Sequence, residues 1–441
     1  MDNFLPSSRG GGLVRVSDRT LRHVLTPPRA PSAIIERDRW EWRTADGGDP
    51  VVLATDFLAA HGFAVRPLGG RPTASPATAG AAVLLGAAAL PADLATLPAA
   101  APTPCPEVPD AVVVVYDSAP AAAGDAAPAA ADAPAAPPGT PAAPPATPAA
   151  PLAEPALASP PGAVTLGPWT PSWSDAAHAA AADRVRAAIA RGDLYQANVV
   201  GHRGAAVHGD VHSLNALFAK VVHRIGNTPF AGSLSGEGWA VHSASPESFL
   251  EVGEGVVRVR PIKGTAADPA VLRASAKDRA EHVMIVDLER NDLGRVAVTG
   301  SVHVPSLYDV VARAGVWHAE STVEARLGPE AGLDDVLAAT FPGGSVTGAP
   351  KRAALAMIHA LEPVGRGPSM GAFGWVTPAG RVELGLTIRT FAVAGGRVHL
   401  WTGGGVTWGS DPLAEVAEAE AKARPLLAAV AELVGAPSPG G

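Results

Sequence analysis

The sequence predicts a mixed α and β fold with one low-complexity interruption, on three observations. Short β-branched or alternating runs, such as Ala111-Val-Val-Val-Val-Tyr116 and Gly255-Val-Val-Arg-Val-Arg260, read as strands. Helical segments are expected after the capping residue Ser174, apolar on one face, and after Ser275, where an acid-rich run is free of Pro and Gly until Gly294. Residues 118–162 are nearly all Ala, Pro, Gly and Thr, with almost nothing large to bury, and read as a disordered or polyproline-like linker. The expected organisation is an N-terminal region over 1–117, this linker, and a C-terminal domain over 163–436.

The 441 residues, 47% hydrophobic, suffice for a substantial core in one large domain or two to three ordinary ones. A formal charge of -8, from 34 basic and 42 acidic residues, argues against nucleic acid or an anionic membrane as the main partner. A small anionic substrate then needs a local basic pocket. The single cysteine, Cys105, excludes an internal disulfide and a cysteine metal cluster, and fits a reducing compartment. It lies in Pro102-Thr-Pro-Cys-Pro106, a loop composition, and reads as structural or incidental. MDNFLPSSRGGG lacks the basic and apolar regions of a signal peptide, and the Ala-rich run near 77–100 is a poor membrane span, interrupted by Gly86 and Pro91. A cytoplasmic location is expected.

Taken in order, residues 1–30 read as poorly ordered, and the apolar clusters from Ile34 to Leu85 as short strands and a helix. Beyond the linker a helix is expected from Ser174 or Asp175 to about Ala190, ended by Gly192. A strand over Leu194–Val200 carries Gln196 and Asn198, and a helix runs from about His212 to Arg224. Strands resume at Phe230 and continue through His242, where Ser245-Pro246-Glu247 interrupts them. Glu247 is either a turn acid or, in a closed cleft, a general acid with a raised pKa.

The stretch from Arg260 to Arg295 concentrates the potential chemistry. Lys263 follows the strand ending at Arg260, and Gly264-Thr265 reads as that strand's end. A lysine there is either a solvated surface charge or an amine turned into a cleft, where burial lowers its pKa toward a nucleophilic form. Asp278 and Glu281 lie three apart in a segment free of Pro and Gly until Gly294, so on a helix their carboxylates share a face. Two such acids repel unless a cation or a basic partner sits between them; the alternative is a solvated face with Lys277, Arg279 and Arg290 as partners.

Phe341-Pro-Gly-Gly-Ser-Val-Thr-Gly-Ala-Pro-Lys351 leads into a helix reaching Glu362, with Thr347 as the expected N-cap and Pro350 in the first turn. A glycine-rich loop entering a helix offers N–H groups to an anion, and since the spacing is not that of a Walker A loop, a carboxylate suits it better than a triphosphate. A capped helix packed closely on its neighbour is the alternative. Strands return at Met370, over Val382–Ala394 and over Val398–Thr402. Arg389 interrupts the second, where an inward guanidinium offers a bidentate bond to a carboxylate. Gly403, Gly404 and Gly405 permit close backbone approach to a ligand. In the last helix, Glu415 and Glu418 repeat the three-residue acid spacing. Two such pairs could share one hard cation, Mg²⁺ being the natural candidate, although Glu418 and Lys422 also form an ordinary surface pair.

In order, GDLYQANVV, SPESFLEV, RPIKGT, SAKDRAEHVMIVDLERNDLGRV, FPGGSVTGAPK, LTIRTF, GGGV and DPLAEVAEAEAKA resemble the chorismate-utilising enzymes: anthranilate synthase and aminodeoxychorismate synthase components I, and the isochorismate and salicylate synthases. The resemblance covers roughly Gly192 to Lys422 and implies an α+β architecture, antiparallel β-sheets packed face to face with helices outside, the divergent N-terminal region folding with them. It implies Glu281 and Glu418 as Mg²⁺ ligands with Asp278 and Glu415 beside the metal. Thr347, Arg389, the Gly403–Gly405 backbone and Lys422 would hold the carboxylates of chorismate. Glu247 would help the C4 hydroxyl leave, and His318 occupies the family's histidine position.

Two positions point to a branch. Anthranilate synthases carry alanine where Lys263 stands, whereas aminodeoxychorismate synthases carry PIKGT, as here. In that branch the lysine is thought to attack C2 of chorismate as the C4 hydroxyl departs, after which ammonia enters at C4 and expels it. Enzymes adding water at C2 have a lysine base where this chain has Gln196. The resemblance therefore implies an aminodeoxychorismate synthase component I using chorismate and ammonia toward 4-aminobenzoate and folate. The alternatives are an anthranilate synthase component I, which releases pyruvate, or a catalytically weak subunit that binds an amidotransferase. Three departures stand out: Glu320 in His318-Ala-Glu-Ser321, Trp408-Gly409 in place of Ala-Asp, and the Ala/Pro insertion. Using glutamine needs a nucleophilic cysteine at a glycine-flanked elbow with a histidine partner, a setting Cys105 lacks, so a separate glutamine amidotransferase subunit, or free ammonia, is expected.

Overall fold

The computed structural model describes residues 34–118, 164–225, 230–313 and 316–434. The expectations for residues 1–30 and, apart from Ser118, the Ala/Pro-rich linker lie outside the described residues. In chain order the elements are β1 (Ile34–Trp42), α1 (Pro50–Ala60), β2 (Thr78–Leu85), β3 (Ala111–Ser118), β4 (Thr165–Leu166), β5 (Thr170–Pro171), α2 (Asp175–Arg191), β6 (Gln196–His208) and α3 (Val211–Ile225). There follow β7 (Phe230–Gly236), β8 (Trp239–Ser245), β9 (Ser248–Gly253), β10 (Val256–Arg260), β11 (Ile262–Ala266), α4 (Pro269–Ala274), α5 (Ala276–Gly294), β12 (His303–Arg313) and β13 (Val316–Arg326). The chain continues with α6 (Leu333–Thr340), β14 (Gly348–Ala349), α7 (Lys351–Leu361), β15 (Ala372–Val376), β16 (Val382–Leu386), β17 (Thr390–Ala394), β18 (Arg397–Val406) and α8 (Pro412–Val434).

The strands form two antiparallel sheets. One is ten-stranded, in the order β1-β3-β2-β15-β16-β9-β10-β13-β11 with β12 on β13; the other is eight-stranded, in the order β14-β6-β18-β17-β8-β7 with β4 and β5 on β6. Strand periodicity explains how they pack. On the eight-stranded sheet Trp239, Val241, Ala392, Ala394 and Trp401 join Leu84, Val113, Leu250, Phe373 and Leu384 of the ten-stranded sheet in one core. The alternate residues Ala240, Phe391, Val393, Val398 and Leu400 point the other way, onto Leu214, Phe218 and Val221 of α3 and Leu426 and Val430 of α8. The sheets thus pack face to face with helices outside, as expected. β3 is apolar on both faces, Val112 to Val115 being fully buried, and each such valine contributes about 1.5–3 kcal/mol relative to exposure.

Several helix boundaries match the local signals. Ser174 accepts from the amide of Ala177 and Gly192 ends α2 in the left-handed region; the Ser275 hydroxyl accepts from the Asp278 amide to start α5. Three expectations are corrected. Gly264-Thr265 does not end a strand: β11 runs through both, with Gly264 at φ +87° within an irregular register on β13. Val382–Ala394 is not one strand, because β16 belongs to the ten-stranded sheet and β17 to the eight-stranded one, with Thr387–Arg389 crossing between them. Thr347 is not the cap of α7: it closes a 3-10 turn over Gly344–Val346, β14 intervenes, and Pro350 holds the cap position. Proline cannot supply a capping side chain, and β14 recruits the loop to the edge of β6. Among the described residues no helix is long and apolar enough to cross a membrane.

Candidate active site

The candidate site lies where the chain changes sheets. Glu247 occupies the β8–β9 crossing and Arg389 the β16–β17 crossing, and backbone bonds stitch the two together: the Ala244 amide donates to Arg389 O at 3.1 Å and the Leu386 amide to Glu247 O at 3.1 Å. Arg389 has φ +50°, an uncommon conformation for a residue with a side chain. Burial lowers the pKa of its guanidinium, with the nearby Glu247 opposing the shift. Glu247 is 6% exposed, and its Oε1 accepts from the Ile262 amide at 3.3 Å. Burial holds its carboxyl above the ordinary value, although the charges of Lys263 and Lys422 and a bond from Ser345 oppose this.

Lys263 is aimed by its surroundings. Its Nζ donates to Ser345 O at 3.1 Å, and its carbonyl accepts from Nε2 of His282 at 2.9 Å. The other ring nitrogen of His282 lies 2.7 Å from Ser321 Oγ, so Ser321 donates to Nδ1 of a neutral ring, and burial lowers the His282 pKa accordingly. His318 is buried on β13 opposite Thr265, with Nδ1 2.9 Å from Thr265 Oγ1.

The two acid pairs approach one another from α5 and α8. Burial raises the pKa of Glu281, Asp278 and Glu418 add to the rise, and Lys263 and Lys277 oppose it. Burial also raises Glu415, helped by Glu418. For Glu418 burial pushes upward too, but Lys422 at 2.8 Å outweighs it and the net shift is downward. Glu415 Oε2 is buried with no hydrogen-bond partner. An all-carboxylate donor set with an orphaned buried oxygen suits a hard divalent cation. Among the described residues, no three His, Cys, Asp or Glu side chains are gathered tightly enough to cage a metal as they stand.

Lys422 Nζ donates to Gly403 O at 2.9 Å. The space that the glycines leave is filled by the chain itself: a Cβ on Gly403 would meet Val199 O at 2.0 Å, on Gly404 Glu415 Oε2 at 3.0 Å, and on Gly405 Gln196 Nε2 at 2.2 Å. Gln196 is fully buried and neither of its amide heteroatoms has a partner, an arrangement that calls for a polar guest. Thr347 is buried and donates its hydroxyl to Gly343 O at 2.8 Å, inside its own loop.

Ser345, His282 and Glu289 were not singled out by their residue types. Ser345 contributes a backbone oxygen, which no side-chain pattern reveals. His282 and Glu289 share the buried stripe of α5 with Ile285, Val286 and Leu293, and polar residues at those helical spacings were the available signal. Burial and Asp292 push the Glu289 carboxyl up to about 8, against the pull of Lys351. Burial pushes the Cys105 thiol up to about 12, which favours the protonated thiol over the reactive thiolate. Trp408, 63% exposed, stands in the turn before α8.

The sequence model described as chorismate binding enzyme matches residues 73–428. The chain belongs to the chorismate-binding enzyme family. Aminodeoxychorismate synthase component 1 of Klebsiella aerogenes is 40% identical over 245 residues, which are 53% of this chain and 53% of that protein. Anthranilate synthase component 1 of Streptomyces coelicolor is 38% identical over 286 residues, 62% of this chain and 55% of that one. The chain thus spans about half the length of the curated relatives it matches. The crystal structure of anthranilate synthase component I from Streptococcus pneumoniae superposes with a TM-score of 0.68 at 21% identity, covering 95% of both chains. The chorismate-binding fold therefore extends across both sheets, including β1–β3.

Proposed function

We propose that the chain is the chorismate-converting component of an aminodeoxychorismate synthase, exchanging the C4 hydroxyl of chorismate for an amino group. The observation that carries this reading is Lys263, held in Pro261-Ile-Lys-Gly-Thr265 between Ser345 O and the buried Glu247. In the reading, Lys263 Nζ bonds to C2, the ring double bond shifts, and the C4–O bond breaks, the hydroxyl leaving as water with a proton from Glu247. Ammonia then bonds to C4, the double bond returns, the C2–Nζ bond breaks to release the lysine, and the surplus proton on the incoming nitrogen returns to the Glu247 carboxylate, so that chorismate and ammonia give 4-amino-4-deoxychorismate and water. Arg389 and Lys422 supply positive charge for the substrate carboxylates, and Gln196 a buried amide. His318 borders the β11 strand that carries Lys263.

Glu281 and Glu418, with Asp278 and Glu415, would hold a Mg²⁺, which when bound supplies positive charge to a substrate carboxylate. A glutamine amidotransferase subunit would deliver ammonia, a reading supported by the burial of Cys105, the single cysteine. The component 1 naming of the relatives supports a two-part assembly. The second reading, anthranilate synthase component I, is favoured by the longer match to the Streptomyces coelicolor protein.

The deciding experiment incubates the purified chain with chorismate, Mg²⁺ and concentrated ammonia and identifies the product by mass. The expected product is 4-amino-4-deoxychorismate, converted to 4-aminobenzoate by an added aminodeoxychorismate lyase and lost in Lys263→Ala and on chelation of Mg²⁺. Anthranilate with pyruvate overturns the reading in favour of the second.

A further inference from the structure

A buried ion pair behind the glycine-rich loop has no part in the function proposed above. Glu362 ends α7 and Arg366 lies in the loop that follows; each is 7% exposed. The pair is bidentate, Arg366 Nε donating to Glu362 Oε2 at 2.8 Å and Nη2 to Oε1 at 2.7 Å. The guanidinium also donates through Nη1 to Val346 O at 2.7 Å and through Nη2 to Asn198 O at 2.7 Å. Glu362 Oε1 accepts from the Val200 amide at 2.9 Å. One planar group thereby ties α7, β6 and the 3-10 turn of the loop together.

Stability alone is a weak reason for such a pair, because desolvating two charges about cancels what their attraction returns. What an arginine supplies that apolar residues do not is a rigid fork with fixed directions. The places it fixes are informative. Val346 follows Ser345, whose carbonyl receives the Lys263 amine at 3.1 Å. Asn198, bonded to Arg366 through its carbonyl, donates its own amide to Thr347 O at 2.7 Å. The loop is therefore registered on β6 at the two residues that directly follow the carbonyl aiming Lys263.

We infer that Arg366, held by Glu362, is the positioning residue that sets the Ser345 carbonyl against which the Lys263 amine is aimed. It touches neither substrate nor reacting atoms, and the inference rests on the reading of Lys263 as nucleophile. Lysine does not substitute for it, since a single ammonium cannot hold the Glu362 carboxylate, Val346 O and Asn198 O in one plane.

The test compares Arg366→Lys and Glu362→Gln with the unaltered chain in steady-state turnover of chorismate with ammonia, normalised to folded protein. The expected result is a kcat lowered about tenfold to a hundredfold with the chorismate KM changed less than about threefold, the mark of a misaimed group. A second readout does not depend on turnover: trace acetylation of the folded protein, mapped by peptide mass. The Lys263 labelling rate shifts about fivefold in both variants, the worth of one hydrogen bond, while exposed Lys220 is unchanged. Unchanged kcat and unchanged Lys263 labelling overturn the inference, as does failure of both variants to fold, which assigns the pair to stability alone. Shifted labelling in a chain whose unaltered form yields no aminodeoxychorismate keeps the inference about aim and instead overturns the proposed function.

Discussion

The amide of Ile262 donates to Glu247 Oε1 at 3.3 Å, one residue before Lys263. The proposed acid and the proposed nucleophile are thus joined through a single stretch of backbone. Burial favours the protonated form of Glu247 in the free protein, the form a general acid needs. Turnover should therefore fall on the alkaline side as Glu247 ionises, at a pH above the ordinary carboxylate range. Glu247→Gln is expected to lower kcat by about 10²–10⁴-fold and to abolish that alkaline limb. A kcat/KM profile, which reports the free protein, in which the limb survives in the variant assigns it to another group.

Arg389 holds a positive φ without being glycine, a conformation that costs about 1 kcal/mol or more. Arg389→Gly should leave the thermal midpoint unchanged or raise it by about 2–4 °C, while raising the chorismate KM about ten- to a hundredfold through loss of a charged donor. Calorimetry and kinetics on the same preparation check both halves. A lowered midpoint would show that the side chain, rather than the backbone, sets the stability of this crossing.

His202 and His399 are stacked and buried, with Nε2 of the first 3.1 Å from Nδ1 of the second. Burial, and then the neighbouring positive groups, push their pKa values down to about 3 and about 4. Both are neutral in the folded chain, whereas in the unfolded chain each takes up a proton near pH 6.5. Their contribution is present above pH 6.5 and is lost as pH falls from there toward about 4, roughly 2 kcal/mol per residue by pH 5. Thermal midpoints measured from pH 7.5 to 4.5 should decline below 6.5, and His399→Gln should flatten the decline. An equal slope in that variant places the acid sensitivity elsewhere.

Much of this was legible in the residues. Ser174 and Gly192 marked helix ends because capping is local chemistry, and the paired acids of α5 and α8 were visible because helical spacing is regular. The break at Thr387–Arg389 was hidden, since Leu386-Thr-Ile-Arg-Thr-Phe391 alternates as well across a sheet change as within one strand. The role of Thr347 was misread for a related reason: a threonine before a helix looks like a cap, and only the pairing of β14 with β6 places Pro350 there instead. Backbone acceptors such as Ser345 O, and the partners that long-range packing gives Arg366, leave no mark on local sequence at all.

The chain passes from one sheet to the other at Glu247 and again at Arg389, and the two passages are bonded to each other. Neither sheet by itself contains the site. A fragment ending before Ala372 retains Lys263 and Glu247 but lacks β15 to β18 and α8 and with them Arg389, Gly403 and Lys422, while the complementary fragment lacks the proposed nucleophile. The proposed site is therefore a property of the two layers together and belongs to neither alone.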